Sequence, residues 1–162
     1  MVIVDTSVLI PLLKIGKIHL LKKFFNKIII TKEVEKEIKT GKIGSSEFEE
    51  ACKTWIEIKE ENSEEAKKLA NAEDIEKADA SVILIAKDEK DIILSNDYAL
   101  IIVAKSKDIE CWWLTTFIIK AIKKKIITKK EAKQILSDLI KSWIRLKNEI
   151  YVAILEEIDK IE

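Results

Sequence analysis

Apolar residues along this chain fall into short unbroken runs separated by longer stretches of helical spacing. Val2-Ile3-Val4, Ile28-Ile29-Ile30 and Ile92-Ile93-Leu94 are runs of three, each bounded by polar residues. Such runs mark strands buried on both faces, as in a parallel sheet. Trp55-Ile56-Glu57-Ile58 alternates apolar with polar and predicts a further strand, and Glu110-Cys111-Trp112-Trp113-Leu114 predicts the last. Between them lie helical patterns: 8–15, with Pro11 placed early where a first turn tolerates it, then 18–25, 32–39, a short piece at 48–53, 63–71, 77–87 and 98–105. Thr31 is placed to cap the helix that begins at Lys32. The helix at 77–87 is apolar nearly all round and must be buried on most sides. From Thr116 onward the pattern is helical only, with helices at 117–125, 128–140 and 142–158. Thr128 and Glu131 have the spacing of a capping box.

Strand alternating with helix predicts an α/β protein with a central parallel sheet covered on both faces, followed by a helical tail. A chain of 162 residues suits one domain. The expected division is a core over 1–118 and a C-terminal helical extension over 119–162, packed on the same domain.

Lys+Arg and Asp+Glu are equal at 29 each, so bulk charge does not argue for a nucleic-acid partner and any such binding needs a local patch. The single histidine, His19, excludes chemistry built on several histidines. Two lone cysteines, Cys52 and Cys111, make no zinc motif and read as free thiols. No apolar run reaches the roughly 18 to 20 residues that span a bilayer, and the opening residues carry no leader pattern. The expectation is a cytoplasmic protein without membrane contact.

Strands of a parallel sheet end on one edge, and ligands bind there. Asp5 follows the first strand and Asp97 follows the strand at 92–94, so neighbouring strands would set the two carboxylates face to face. Glu37 and Asp79 lie on helices that can reach the same edge, with Asp74 as a competitor for Asp79. Clustered carboxylates repel unless protons or cations compensate. Hard divalent ions such as Mg²⁺ or Mn²⁺ are the natural partners of an all-oxygen site.

Four segments, Val2-Ile3-Val4-Asp5-Thr6-Ser7, Thr31 to Ile38, Lys77 to Ala86 and Leu94-Ser95-Asn96-Asp97-Tyr98-Ala99, resemble the motifs of PIN domains in order and spacing. The likeness covers roughly residues 1–118. It is closest to prokaryotic PIN proteins of the VapC toxin type and to the PIN part of archaeal ribosome-processing nucleases. The resemblance implies a three-layer α/β/α sandwich and a Mg²⁺- or Mn²⁺-dependent endoribonuclease, commonly a homodimer. It assigns catalysis to Asp5, Glu37, Asp79 and Asp97, with Asp5, Asp79 and Asp97 on the metal. Thr6 or Ser7 matches a hydroxyl that supports the first Asp, and Ser95 matches the hydroxyl residue two before the last. Asn96 departs from the ribosome-processing pattern, where an acid is usual, and the zinc ribbon of those proteins is missing.

Each site residue also has a plainer reading. Asp5 and Asp97 can serve as helix caps, Asp79 as a first-turn acid and Glu37 as a solvated helix residue. The lysines at 120, 123, 124, 125, 129, 130 and 133 suit a solvated helix face or contacts to RNA phosphates, Lys123, Lys124 and Lys125 foremost. Trp112 or Trp113 could stack bases or join the core, and Trp143, Ile144, Tyr151 and Ile154 read as packing residues. The functional readings are a nuclease cutting RNA, possible as the toxin of a pair with a small antitoxin protein, and a PIN-fold module that binds RNA or protein without cutting. A haloacid-dehalogenase-like phosphatase is excluded because Ser7 stands where its second Asp is needed.

Overall fold

The computed structural model describes residues 1–142 and 145–162. In chain order the elements are β1 (Val2–Val4), α1 (Thr6–Lys14), α2 (His19–Phe25), β2 (Ile28–Thr31), α3 (Lys32–Gly41), α4 (Ser45–Thr54), β3 (Ile56–Lys59) and α5 (Ser63–Glu73). They continue as α6 (Lys77–Glu89), β4 (Ile92–Leu94), α7 (Tyr98–Ser106), β5 (Cys111–Trp112), α8 (Leu114–Lys123), α9 (Lys129–Ser142) and α10 (Asn148–Lys160).

The five strands form one parallel sheet in the order β3-β2-β1-β4-β5. The first half of the chain winds outward from β1 to β3, then α5 and α6 carry it back across to β4. Strand order therefore reverses between β1 and β4, and the register pairs Val4 with Leu94 at that crevice.

Period-two alternation sends side chains of each short run to opposite faces. Val2, Val4, Ile28, Ile30 and Leu94 join a core that includes α1, α2, α8, α9 and α10, with Phe48 and Phe117 among its largest fully buried members. Ile3, Ile29 and Ile93 face the opposite way, onto Val82, Ile83 and Ala86 of α6 and Leu100 and Ala104 of α7. The result is the expected α/β/α sandwich. Helices α8, α9 and α10 share the hydrophobic core beneath one face of the sheet.

Several boundaries differ from the sequence reading, each for a local reason. Pro11 is the sixth residue of α1 and not part of its first turn, so the helix lacks one backbone donor there. The short piece expected at 48–53 is a ten-residue helix, α4, that begins at Ser45 after Gly44 takes a positive φ of 54°. β5 keeps only Cys111 and Trp112 of the five residues expected, because Trp113 turns to cap α8, which starts at Leu114. The last helix starts at Asn148, after an extended Lys147. The packing expected of Trp143 and Ile144 lies outside the described residues, whereas Ile154 is buried in the core.

The predicted caps form as read. Thr31 Oγ1 accepts from the Val34 N–H at 3.1 Å. Thr128 Oγ1 accepts from the Glu131 N–H while Glu131 accepts from the Thr128 N–H, which closes the capping box. Both cysteines are free, and burial pushes each thiol up to about 11, which leaves them inert at neutral pH. Among the described residues no helix is long and apolar enough to cross a membrane.

Candidate active site

The crevice at the C-terminal ends of β1 and β4 holds a polar knot. Asp5 and Asp97 each begin a helix, α1 and α7, and each carboxylate is partly engaged there. Asp5 Oδ2 accepts from the Ser7 N–H at 3.3 Å, and Asp97 Oδ1 accepts from the Leu100 N–H at 2.9 Å. The Ser7 hydroxyl donates to Asp5 Oδ2 at 2.5 Å, and Ser95 Oγ donates to the same oxygen at 3.0 Å. Ser95 also accepts from the Asp97 N–H at 2.9 Å, so one fully buried hydroxyl ties both aspartates together. The capping and site readings are thus compatible. One oxygen of each side chain serves the helix, and no hydrogen bond from the described residues reaches Asp5 Oδ1 or Asp97 Oδ2.

Asn96 continues the knot. Its backbone N–H donates to Ser7 Oγ at 2.8 Å and its Nδ2 donates to the Ser7 carbonyl at 3.3 Å. Its Oδ1 accepts from the Leu114 N–H at 3.1 Å. Both polar atoms of the amide are therefore spent on backbone, and Asn96 acts as a brace between α1 and the start of α8. Across the cleft, Thr6 Oγ1 donates to Glu37 Oε2 at 2.9 Å, which holds an otherwise exposed α3 side chain at the rim.

These residues surround one open cleft of about 220 Å³, lined by Asp5, Thr6, Ser7, Ile10, Glu37, Glu76, Ala78, Asp79 and Asp97. A larger hollow is lined by Lys32, Lys36, Lys39 and neighbouring acids of α3, but its side chains are mostly paired surface charges. The structure brings all four expected carboxylates to one cleft and adds Glu76, which ends the turn before α6 and which sequence reading did not single out. Glu76 stands three positions before Asp79, which is the one available signal. Asp74 is elsewhere: it is exposed and closes α5 in a left-handed conformation at φ 53°. Lys123, Lys124 and Lys125 do not line the cleft.

Asp79 sits at the third position of α6, half-buried. Its carboxyl is raised from 3.8 to about 7, first by burial and then by the charges of Asp97, Asp5 and Glu76. That is the behaviour of a carboxylate among carboxylates with no cation beside it. The donor set is all oxygen and fits a hard divalent ion. Among the described residues, however, no three of these side chains converge as a ready cage. The cleft gathers the donors around its wall.

A doubly wound parallel sheet sets its acidic cleft at the switch point, where ligands of such sheets bind. The PIN domain family model matches residues 1–160, and the chain belongs to that family. The crystal structure of PAE2754 from Pyrobaculum aerophilum superposes with a TM-score of 0.52 at 20% identity, over 68% of this chain and 82% of that one. At that identity the likeness speaks for the fold. No curated protein matches.

Proposed function

We propose that this protein is a divalent-metal-dependent endoribonuclease of the PIN type. The observation that carries the reading is the gathering of Asp5, Glu37, Asp79 and Asp97 on one cleft at the strand-order reversal, in a chain that belongs to a nuclease family. Asp5, Asp79 and Asp97 would hold Mg²⁺ or Mn²⁺. The bound ion would supply charge against a phosphoryl oxygen and lower the pKa of a water. Ser95 and Ser7 orient Asp5 by donating to Oδ2, and so leave Oδ1 available. Thr6 fixes Glu37 at the opposite rim, where it can order the water that attacks the phosphodiester. Hydrolysis in line would leave a 3′-hydroxyl and a 5′-phosphate.

The test is cleavage of a fluorescent single-stranded RNA with Mn²⁺, Mg²⁺ or EDTA, beside Asp5→Asn. Metal-dependent cutting that the variant loses supports the reading; a variant that cuts as well as the parent sinks it. A second reading, a PIN-fold binding module with little catalysis, draws on the spent amide of Asn96 and the absence of a converged cage among the described residues. Calorimetric titration with Mn²⁺ separates the two, since a dead site takes up little metal. Within the nuclease reading, service as a VapC-like toxin held by a small antitoxin protein predicts growth arrest on expression. A homodimer predicts twice the monomer mass in solution.

A further inference from the structure

Acidic residues are absent from two long stretches of this electroneutral chain, between Asp5 and Glu33 and between Glu110 and Glu131. The fold packs these stretches against each other. Phe24 and Phe25 of α2 meet Trp112 and Phe117 in one aromatic cluster, with centroid separations of 4.6 to 6.0 Å. Lys124 Nζ lies 3.9 Å over the Phe24 ring and Lys120 Nζ lies 4.4 Å over Trp112. A shallow hollow lined by Lys17, Lys23 and Ile127 joins α2 to the start of α9. Lys17, Lys23, Lys120 and Lys124 therefore border one face.

Neither α2 nor α8 contributes a carboxylate to this face. Several lysines elsewhere, such as Lys32, Lys39, Lys59, Lys67, Lys107 and Lys133, are bridged to carboxylates. Among the described residues, none of the four lysines of this face is in such a bridge. Acids reach the borders of the face from α9 and α10: Glu131, which accepts from the Thr128 N–H, lies beside Lys17 and Lys23, and Glu157 shares a hollow with Lys120. Two of the ammonium groups are held over rings, which keeps their charge in place without neutralising it.

We infer that this α2–α8 face is a docking surface for the phosphate backbone of an RNA substrate, outside the catalytic cleft. Unneutralised lysines are what a polyanion requires. A protein partner would need apolar anchors, and among the described residues the exposed large hydrophobics are Met1, Tyr98 and Ile102 of α7, and Ile150 and Val152 of α10. The face is coupled to the cleft by α8, whose first N–H is held by Asn96 and whose ten residues span about 15 Å. That length corresponds to roughly four duplex base steps. A substrate that touches both ends must therefore extend several nucleotides beyond the bond that is cut. This inference rests on the nuclease reading for the identity of its ligand, but its test does not require cutting.

The experiment measures anisotropy of a fluorescent single-stranded RNA titrated with the full chain carrying Asp5→Asn, over a series of salt concentrations. Lys23→Glu with Lys124→Glu should weaken binding at least about tenfold and flatten the log K against log salt slope by roughly 0.7 per lysine lost. Lys17→Glu with Lys23→Glu disturbs no ring contact and should do the same, which guards against a misfolded first pair. Lys67→Glu with Lys68→Glu on α5 should leave affinity unchanged. Unaltered affinity and slope in both face variants, or equal loss in the α5 control, overturns the proposal. A face that binds RNA in a chain that never cuts it would refute the nuclease reading and leave the docking surface standing.

Discussion

Asn96 supplies to α1 the donor that Pro11 lacks. Within a helix the carbonyl of Ser7 would receive the N–H of residue 11, and proline has none. Asn96 Nδ2 donates to that carbonyl instead, at 3.3 Å, across 89 residues of sequence. The asparagine is thus explained by its neighbours: an Asp at this position could still accept from Leu114 but could not donate to Ser7. Asn96→Asp should lower stability by about 1–3 kcal/mol, from the lost bond and an added charge beside Asp5 and Asp97. It should not tighten metal binding. Pro11→Ala restores the backbone donor, so the double variant should recover part of the loss. Urea denaturation of the four proteins gives the coupling energy directly, and additive effects would show that the two residues are independent.

Ser95 is fully buried between two aspartates that the chain places 92 residues apart. Ser95→Ala removes a donor to Asp5 and leaves the Asp97 N–H without its acceptor. The expected cost is about 1–3 kcal/mol in urea denaturation. Under the proposed function, cleavage falls on the order of 10- to 100-fold, as for other residues that orient a metal ligand. Normal cutting by a destabilised variant would mean that the hydroxyl serves the fold alone.

Sequence pattern revealed the parts of this site that local physics dictates. Val2-Ile3-Val4 and Ile92-Ile93-Leu94 can only be buried strands, and a polar residue after each must sit at the sheet edge, so Asp5 and Asp97 were legible. Asp79 and Glu37 were reachable through motif likeness. What the sequence concealed depends on neighbours distant along the chain. Asn96 reads as a turn residue until Ser7 and Leu114 are seen beside it. Glu76 is one acid among many until α6 sets it at the rim. The α8 lysines read as a solvated helix face until the aromatic cluster joins that helix to α2. Helix ends slipped for the same reason: α8 begins three residues early because Asn96 captures the Leu114 N–H.

The Asp79 carboxyl, raised from 3.8 to about 7, gives the metal-free protein a defined pH response. Between those values the folded chain holds a proton that the unfolded chain has released. Stability therefore falls as pH rises from about 4 to about 7, and is flat beyond. Asp79→Asn should match the parent below about pH 4 and melt higher at pH 8, while losing cleavage. Solvent screening of a half-exposed group keeps the shift small, so it is best read by calorimetry of parent and variant side by side in EDTA. Mn²⁺ displaces the proton, so it should raise the parent's melting temperature more at pH 8 than at pH 6. A variant that melts below the parent at pH 8 contradicts the repulsion among these carboxylates.

Glu37 reaches the cleft from an exposed helical position, and the hydroxyl of Thr6 is its tether at 2.9 Å. Without that tether the side chain would sample the rotamers open to any surface glutamate, and few of them face Asp5. Thr6→Val keeps the shape of the buried residue and removes the donor, so folding should change by less than about 1 kcal/mol. Mn²⁺ affinity or cleavage rate should nevertheless drop on the order of tenfold, because the carboxylate must now be ordered at the moment of use. Thr6→Ser retains the hydroxyl and should restore most of the function. Comparing the three proteins by Mn²⁺ titration and RNA cleavage isolates the tether from the fold. If Thr6→Val and Thr6→Ser behave alike, Glu37 acts without positioning and belongs to the solvated surface of α3.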